Sequence, residues 1–145
     1  MSEPMSIKTD GEKSSLIRIQ PGMTLKSPVS LTSLTDDGIL VLRYFDDLDY
    51  DLEKAKAAVD FHQRLSIPRP VRMLIITGRG GSMTPEAREY LAKEEHNRYR
   101  KAVAVVVNNL AHRLIANFYG KHYPTDYPYR VFQTEEQALQ WLRQL

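Results

Sequence analysis

The sequence contains no cysteine, and that absence removes disulfides, thiol catalysis and cysteine zinc sites together. It also lacks any apolar run of about 18 residues, the length a spanning helix requires. No basic-then-apolar leader opens the chain. A cytoplasmic domain with no membrane insertion is therefore expected. An excess of one charge is missing too. Lys and Arg total 20 against 18 Asp and Glu, so no whole-molecule field draws nucleic acid or anionic lipid. The four histidines, His62, His96, His112 and His122, show no His-Glu-x-x-His or other ligand spacing, so no metal is expected. Neither Gly-x-Ser-x-Gly nor a serine placed on an elbow beside a histidine occurs. The expectation is no catalytic residue, no cofactor and no enzyme.

What is present is an ordinary globular mixture, 42% hydrophobic and 26% charged. Its 145 residues suit one domain with a sizeable core. Residues 1–14 are polar and read as a flexible N-terminal tail, leaving 15–145 as a single domain. Leu16, Ile17 and Ile19 suggest a short strand, and Val29 to Leu34 alternates weakly. Thr35-Asp36-Asp37-Gly38 is a hairpin signal, since Asp-Gly tolerates the positive φ of tight turns. Ile39 to Phe45 follows as a strand rich in branched and aromatic residues.

Asp51 to Leu65 then changes period, with Leu52, Ala55, Val59 and His62 at helical spacing. The acidic stretch FDDLDYDLE before it has no glycine where a calcium loop needs one and reads as a solvated helix start. Val71 to Thr77 and Ala102 to Val107 are continuous apolar runs, as in strands covered on both faces. Between them Thr84 can cap a helix with Pro85 at its first position, running to about His96. Leu110, Leu114 and Phe118 share one face of a helix over 110–119. Tyr129 to Phe132 is a short strand, and Thr134 with Gln137 forms a capping box for the last helix, to Leu145. The order β-β-α-β-α-β-α-β-α implies an α/β fold with a mixed, largely parallel central sheet flanked by helices.

Two stretches are candidate sites. LIITGRGGSMTPEAR, residues 74–88, is strand, glycines, then helix. It does not match a P-loop, and Met83 stands where a dinucleotide fingerprint needs its third glycine. Helix-start amides and Arg79 can still hold an anion. The second stretch, His122 to Arg130, holds Tyr123, Tyr127 and Tyr129. Together with the basic and aromatic run His96 to Lys101, it suits a protein interface, where Tyr and Arg are enriched, better than single-stranded nucleic acid. The plain reading, that the tyrosines cover the last strand and Arg98 to Lys101 form a solvated helix end, ranks ahead of both, and the tyrosine connection is where a partner would be sought.

The element order, AVAVVVNNLAHRLIANFYG, the paired Ala87-Arg88 and the ending RVFQTEEQALQWL together resemble the STAS domain, in particular STAS-like bacterial proteins of uncharacterised function. The resemblance covers about residues 20–145 and implies a non-enzymatic module that binds a protein partner, a neighbouring transporter or a small ligand. Anti-sigma-factor antagonists of that family switch by phosphorylation of a serine at the start of the helix after the central strand. Here Pro85 falls on that serine, Thr84 on the preceding aspartate and Glu86 on the next serine. Proline has no hydroxyl, so the phosphoswitch is expected to be absent, with Ser82 and Thr84 the nearest hydroxyls. The expected function is regulation through a protein partner or self-association as a homodimer. The alternative is a carrier or sensor of a small hydrophobic ligand such as a lipid.

Overall fold

The computed structural model describes residues 5–6, 15–93, 99–107, 109–122 and 125–145. Strands β1 (Met5–Ser6), β2 (Ile17–Arg18), β3 (Thr24–Lys26), β4 (Ser30–Leu34) and β5 (Ile39–Tyr44) come first. Strand β6 (Asp49–Tyr50) leads into helix α1 (Leu52–Arg64), then β7 (Leu65–Ser66), β8 (Val71–Ile76), β9 (Ser82–Met83) and helix α2 (Pro85–Ala92). Strand β10 (Arg100–Val106), helix α3 (Leu110–His122), β11 (Tyr129–Phe132) and helix α4 (Glu135–Arg143) complete the order. Of the expected tail, only Met5 and Ser6 are among the described residues, and they lie parallel to Leu25 and Lys26 of β3.

Seven strands form one mixed sheet in the order β1-β3-β4-β5-β8-β10-β11. Strands β5, β8, β10 and β11 run parallel, while β4 runs antiparallel to both β3 and β5. The Thr35–Gly38 hairpin joins β4 to β5. The Gly38 amide bonds the Thr35 carbonyl at 3.0 Å, and the Thr35 hydroxyl accepts from the Ile39 amide at 2.9 Å. Right-handed crossovers between parallel strands place successive helices on one side of a sheet. Helices α1 and α3 accordingly share a face, and α4, which follows the last strand, covers the other.

The apolar runs explain themselves on this sheet. Leu40 and Leu42 of β5, with Val103 and Val105 of β10, point toward Phe61 of α1. Ile39, Val41, Ala102 and Ala104 point the opposite way, toward Ala138 and Leu142 of α4. The small alanines let α4 approach closely. Both faces of the central strands are covered, so apolar residues run through them with little alternation, Arg43, Arg72, Arg100 and Lys101 being the exceptions.

Caps fix the helix starts. Asp51 accepts the Lys54 amide for α1, Thr84 accepts that of Ala87 for α2, and Thr134 accepts that of Gln137 for α4. Each such cap contributes about 1 kcal/mol. Helix α2 ends at Ala92, where Lys93 turns to extended backbone, short of the His96 read from the sequence; residues 94–98 lie outside the described ones. Helix α3 runs three residues past Tyr119, to His122.

Candidate functional site

The glycine turn is built against the acidic stretch that precedes α1. Strand β9 pairs in parallel with β6, Asp49 opposite Ser82 and Tyr50 opposite Met83. Backbone bonds extend the contact: Asp47 N–H to Arg79 carbonyl at 2.7 Å, Ser82 N–H to Leu48 carbonyl at 2.9 Å, and Thr84 N–H to Tyr50 carbonyl at 3.0 Å. The chains meet so closely that a β-carbon at Gly78 would strike the Phe45 carbonyl, and one at Gly81 the Leu48 carbonyl. Gly81 also sits at φ +80, a region other residues enter only under strain. The glycines therefore serve a close chain approach.

This geometry accounts for three of the residues singled out in the sequence. The Arg79 amide donates to the Asp46 carboxylate at 2.8 Å. The Ser82 hydroxyl lies 3.1 Å from the Asp49 carboxylate, and the Thr84 hydroxyl is the α2 cap. The Arg79 amide and the Ser82 and Thr84 hydroxyls are thus already engaged, two of the three by carboxylates that repel a phosphate. The acidic stretch, expected to be only a solvated helix start, is thus the partner strand of the turn.

The second locus lies where β10 begins. Strand β10 carries a one-residue irregularity: Arg100 pairs with Val71, yet Ala102 pairs with Arg72. Such a bulge shifts the alternation by one. It turns Arg100 to the side of Val71 and Val103, the face covered by α1 and α3. Arg98 to Lys101 was expected to be a solvated helix end; Arg100 instead opens a strand, and its Nε is buried without a partner. Its Nη1 donates to the Tyr127 hydroxyl at 3.3 Å, and its guanidinium carbon lies 5.7 Å from the centre of the Tyr99 ring. Arg69 stacks on the same ring at 4.9 Å, while its Nη2 bonds the His62 carbonyl at 2.8 Å at the end of α1.

Around this cation the titratable groups are held neutral. Burial pushes the Tyr44 hydroxyl up, and burial together with the neighbouring Tyr44 pushes the Tyr50 hydroxyl well up. Burial, then the Arg100 and Arg69 charges, holds His62 down to about 3. The Tyr99 hydroxyl and His62 Nε2 are, like Arg100 Nε, buried without a hydrogen-bond partner. Tyr127 and Tyr129 also line a cleft of about 500 Å³ with Arg130, Thr125, Asn117 and Gly120. The Tyr129 hydroxyl donates to the Ala116 carbonyl at 3.1 Å, tying β11 to α3. Two of the three expected tyrosines thus meet at one cleft; Tyr123 lies outside the described residues.

Helix α3 supplies a third feature. Leu110, Leu114 and Phe118 do share a face, and that face points to solvent, with exposures of 62%, 60% and 50%. The helix carries Arg113 and Lys121 and no acidic residue. Among its described side chains, Ala116 packs against the core. Periodicity marked the stripe but not which way it points. Among the described residues, no three His, Asp or Glu side chains come together to hold a metal, and no helix is long and apolar enough to cross a membrane.

The sequence profile of a domain of unknown function, DUF7793, matches residues 33–145. The crystal structure of an uncharacterised protein of the DUF3478 family from Shewanella loihica PV-4, described as having a SpoIIAA-like fold, superimposes with a TM-score of 0.56. The match covers 77% of this chain and 89% of that one, at 16% identity. No curated protein matches the chain. The likeness is one of fold, and it agrees with the STAS-like architecture expected from the sequence.

Proposed function

From the premise that the chain belongs to the DUF7793 family, we propose that it is a non-enzymatic regulatory module that docks a protein partner on the outer face of α3. The observation that carries this reading is the solvent-facing stripe of Leu110, Leu114 and Phe118. A helix normally turns its apolar stripe inward, and an exposed apolar patch rimmed by polar residues marks an interaction surface. Arg113 and Lys121 on the same helix, with no acid to balance them, select an occupant with apolar side chains and acidic flanks. A second copy would instead bring these cations against their like, which favours a different polypeptide over a homodimer.

Leu114→Glu and Phe118→Glu test this directly. Leu114 is mostly exposed, so its change should move folding stability by no more than about 0.5 kcal/mol; half-exposed Phe118 should cost about 1–2 kcal/mol. Affinity for a partner purified with the protein should fall at least about tenfold, as for central interface anchors. Leu16→Glu, at a leucine 70% exposed elsewhere on the surface, should leave binding unchanged. Equal binding by all three variants would move the contact off α3.

The glycine turn is not the regulatory element in this reading. Ser82→Ala and Thr84→Ser should both retain regulation in cells, because Pro85 has no hydroxyl and Thr84 is used as a cap that serine replaces. Loss of regulation in both variants would restore a switch there.

A further inference from the structure

Arg100 has the surroundings of a ligand site with its counter-ion missing. Arg100 is half-buried, but its Nε is shut off from water, and a buried donor left without an acceptor costs about 1–3 kcal/mol. Among the described residues no carboxylate pairs with Arg100; the Tyr127 hydroxyl is its hydrogen-bond partner. Its buried Nε, the Tyr99 hydroxyl and His62 Nε2 are without partners in the same core region, where Arg100 acts on His62 and Tyr44. Native interiors pair nearly all such groups, so several orphans around one cation call for a missing acceptor. Tyr127 is the shared wall: its hydroxyl faces Arg100, and it also lines the cleft between α3 and β11.

We propose that the cleft between α3 and β11 admits a small organic acid whose carboxylate pairs with Arg100, its apolar or aromatic body resting against Tyr127 and Tyr129. One guanidinium balances one carboxylate, and its planar fork matches that anion's two oxygens. Tyr99 and His62 add hydrogen-bonding capacity without adding charge. A phosphate dianion would need a second cation turned into the cleft, and Arg130 there is exposed and lies over the Phe132 ring at 5.2 Å. The cleft, about 500 Å³, falls within the size range of small-molecule pockets. The site is separate from the stripe on α3 and stands whether or not that face binds a protein.

The test is a titration of the full-length protein with benzoate, with octanoate and with inorganic phosphate at matched ionic strength, followed by NMR of arginine Nε–H groups. The expected result is a saturable shift of the Arg100 Nε–H signal with benzoate or octanoate and none with phosphate. Arg100→Met should weaken carboxylate binding at least about tenfold. Its thermal midpoint should be unchanged or higher, since an apolar side chain replaces a buried donor that has no acceptor. No saturable shift of the wild-type signal, or an equal shift with phosphate, overturns the proposal. That readout needs no variant to fold.

Discussion

Phe61→Ala will lower the folding free energy by about 3–5 kcal/mol, the usual cost of emptying a fully buried aromatic site. Phe61 is entirely buried and lies in one cluster with Leu40 and Leu42 of β5, Met73 of β8 and Val103 of β10. It is the side chain by which α1 fastens to three parallel strands at once. Its ring also meets His62 edge-on, with centres 5.8 Å apart. Rigid strands on one side and the close contact of α1 with α2 on the other leave little room for collapse into the cavity. In urea the midpoint should fall by at least about 1 M with an unchanged slope. Leu16→Ala, at an exposed leucine, should stay within about 0.5 kcal/mol of the parent. A Phe61→Ala loss below about 1 kcal/mol would mean that α1 does not pack on the sheet through this residue.

The second large effect is acid sensitivity through His62. Its pKa is held down to about 3 in the folded protein, by burial first and then by Arg100 and Arg69, from an ordinary 6.5. The unfolded chain therefore binds a proton over a range where the folded one does not. Stability contributed by the neutral imidazole is complete above about pH 6.5. It is lost as pH falls below that value, and the loss levels off near pH 3. At pH 4 the loss is on the order of 3 kcal/mol. Other groups titrate there too: the Asp37 carboxyl is lowered chiefly by the Thr35 hydroxyl, and Glu135 chiefly by Arg43. His62→Phe isolates the histidine. Between pH 7 and pH 4 the variant should lose clearly less stability than the parent, measured by urea unfolding at each pH. Parallel curves would place His62 in contact with water.

Much of the fold was legible because the central strands are covered on both sides. Val71 to Ile76 and Ala102 to Val106 could hardly be anything else, and Asp-Gly at 37–38 fixed the hairpin. The short pairings were not legible. Two-residue strands such as β2 with β7 and β6 with β9 carry no periodicity of their own and exist because the larger fold brings them together. The end of α2 at Ala92 has no glycine or proline to announce it. Phe61 escaped a stripe drawn through Leu52, Ala55, Val59 and His62, because α1 is enclosed by both the sheet and α2 and so buries a wider arc than one stripe.

The candidate sites divide in the same way. Arg79, Ser82 and Thr84 belong to one turn, as the spacing indicated, but the acidic strand that occupies the turn's donors is distant in sequence. Arg100 was hidden by a single-residue bulge, which reverses the face that strict alternation assigns it. No local signal predicts that reversal. Leu110, Leu114 and Phe118 were found by spacing, and their exposure in the fold, with Ala116 packed on the core, shows that their face is the outer one.

The reading of α3 as a docking face is tested most directly by a photo-crosslinking side chain placed at Leu114, with a control at Leu16, in cells that naturally make the protein. The account predicts a discrete adduct with one other polypeptide at Leu114 and none at Leu16. It further predicts that Phe118→Glu abolishes the adduct and that Lys121→Glu weakens it, as an acidic-flanked partner requires. No adduct at Leu114 above the control, or an adduct only with a second copy of the chain, would contradict it.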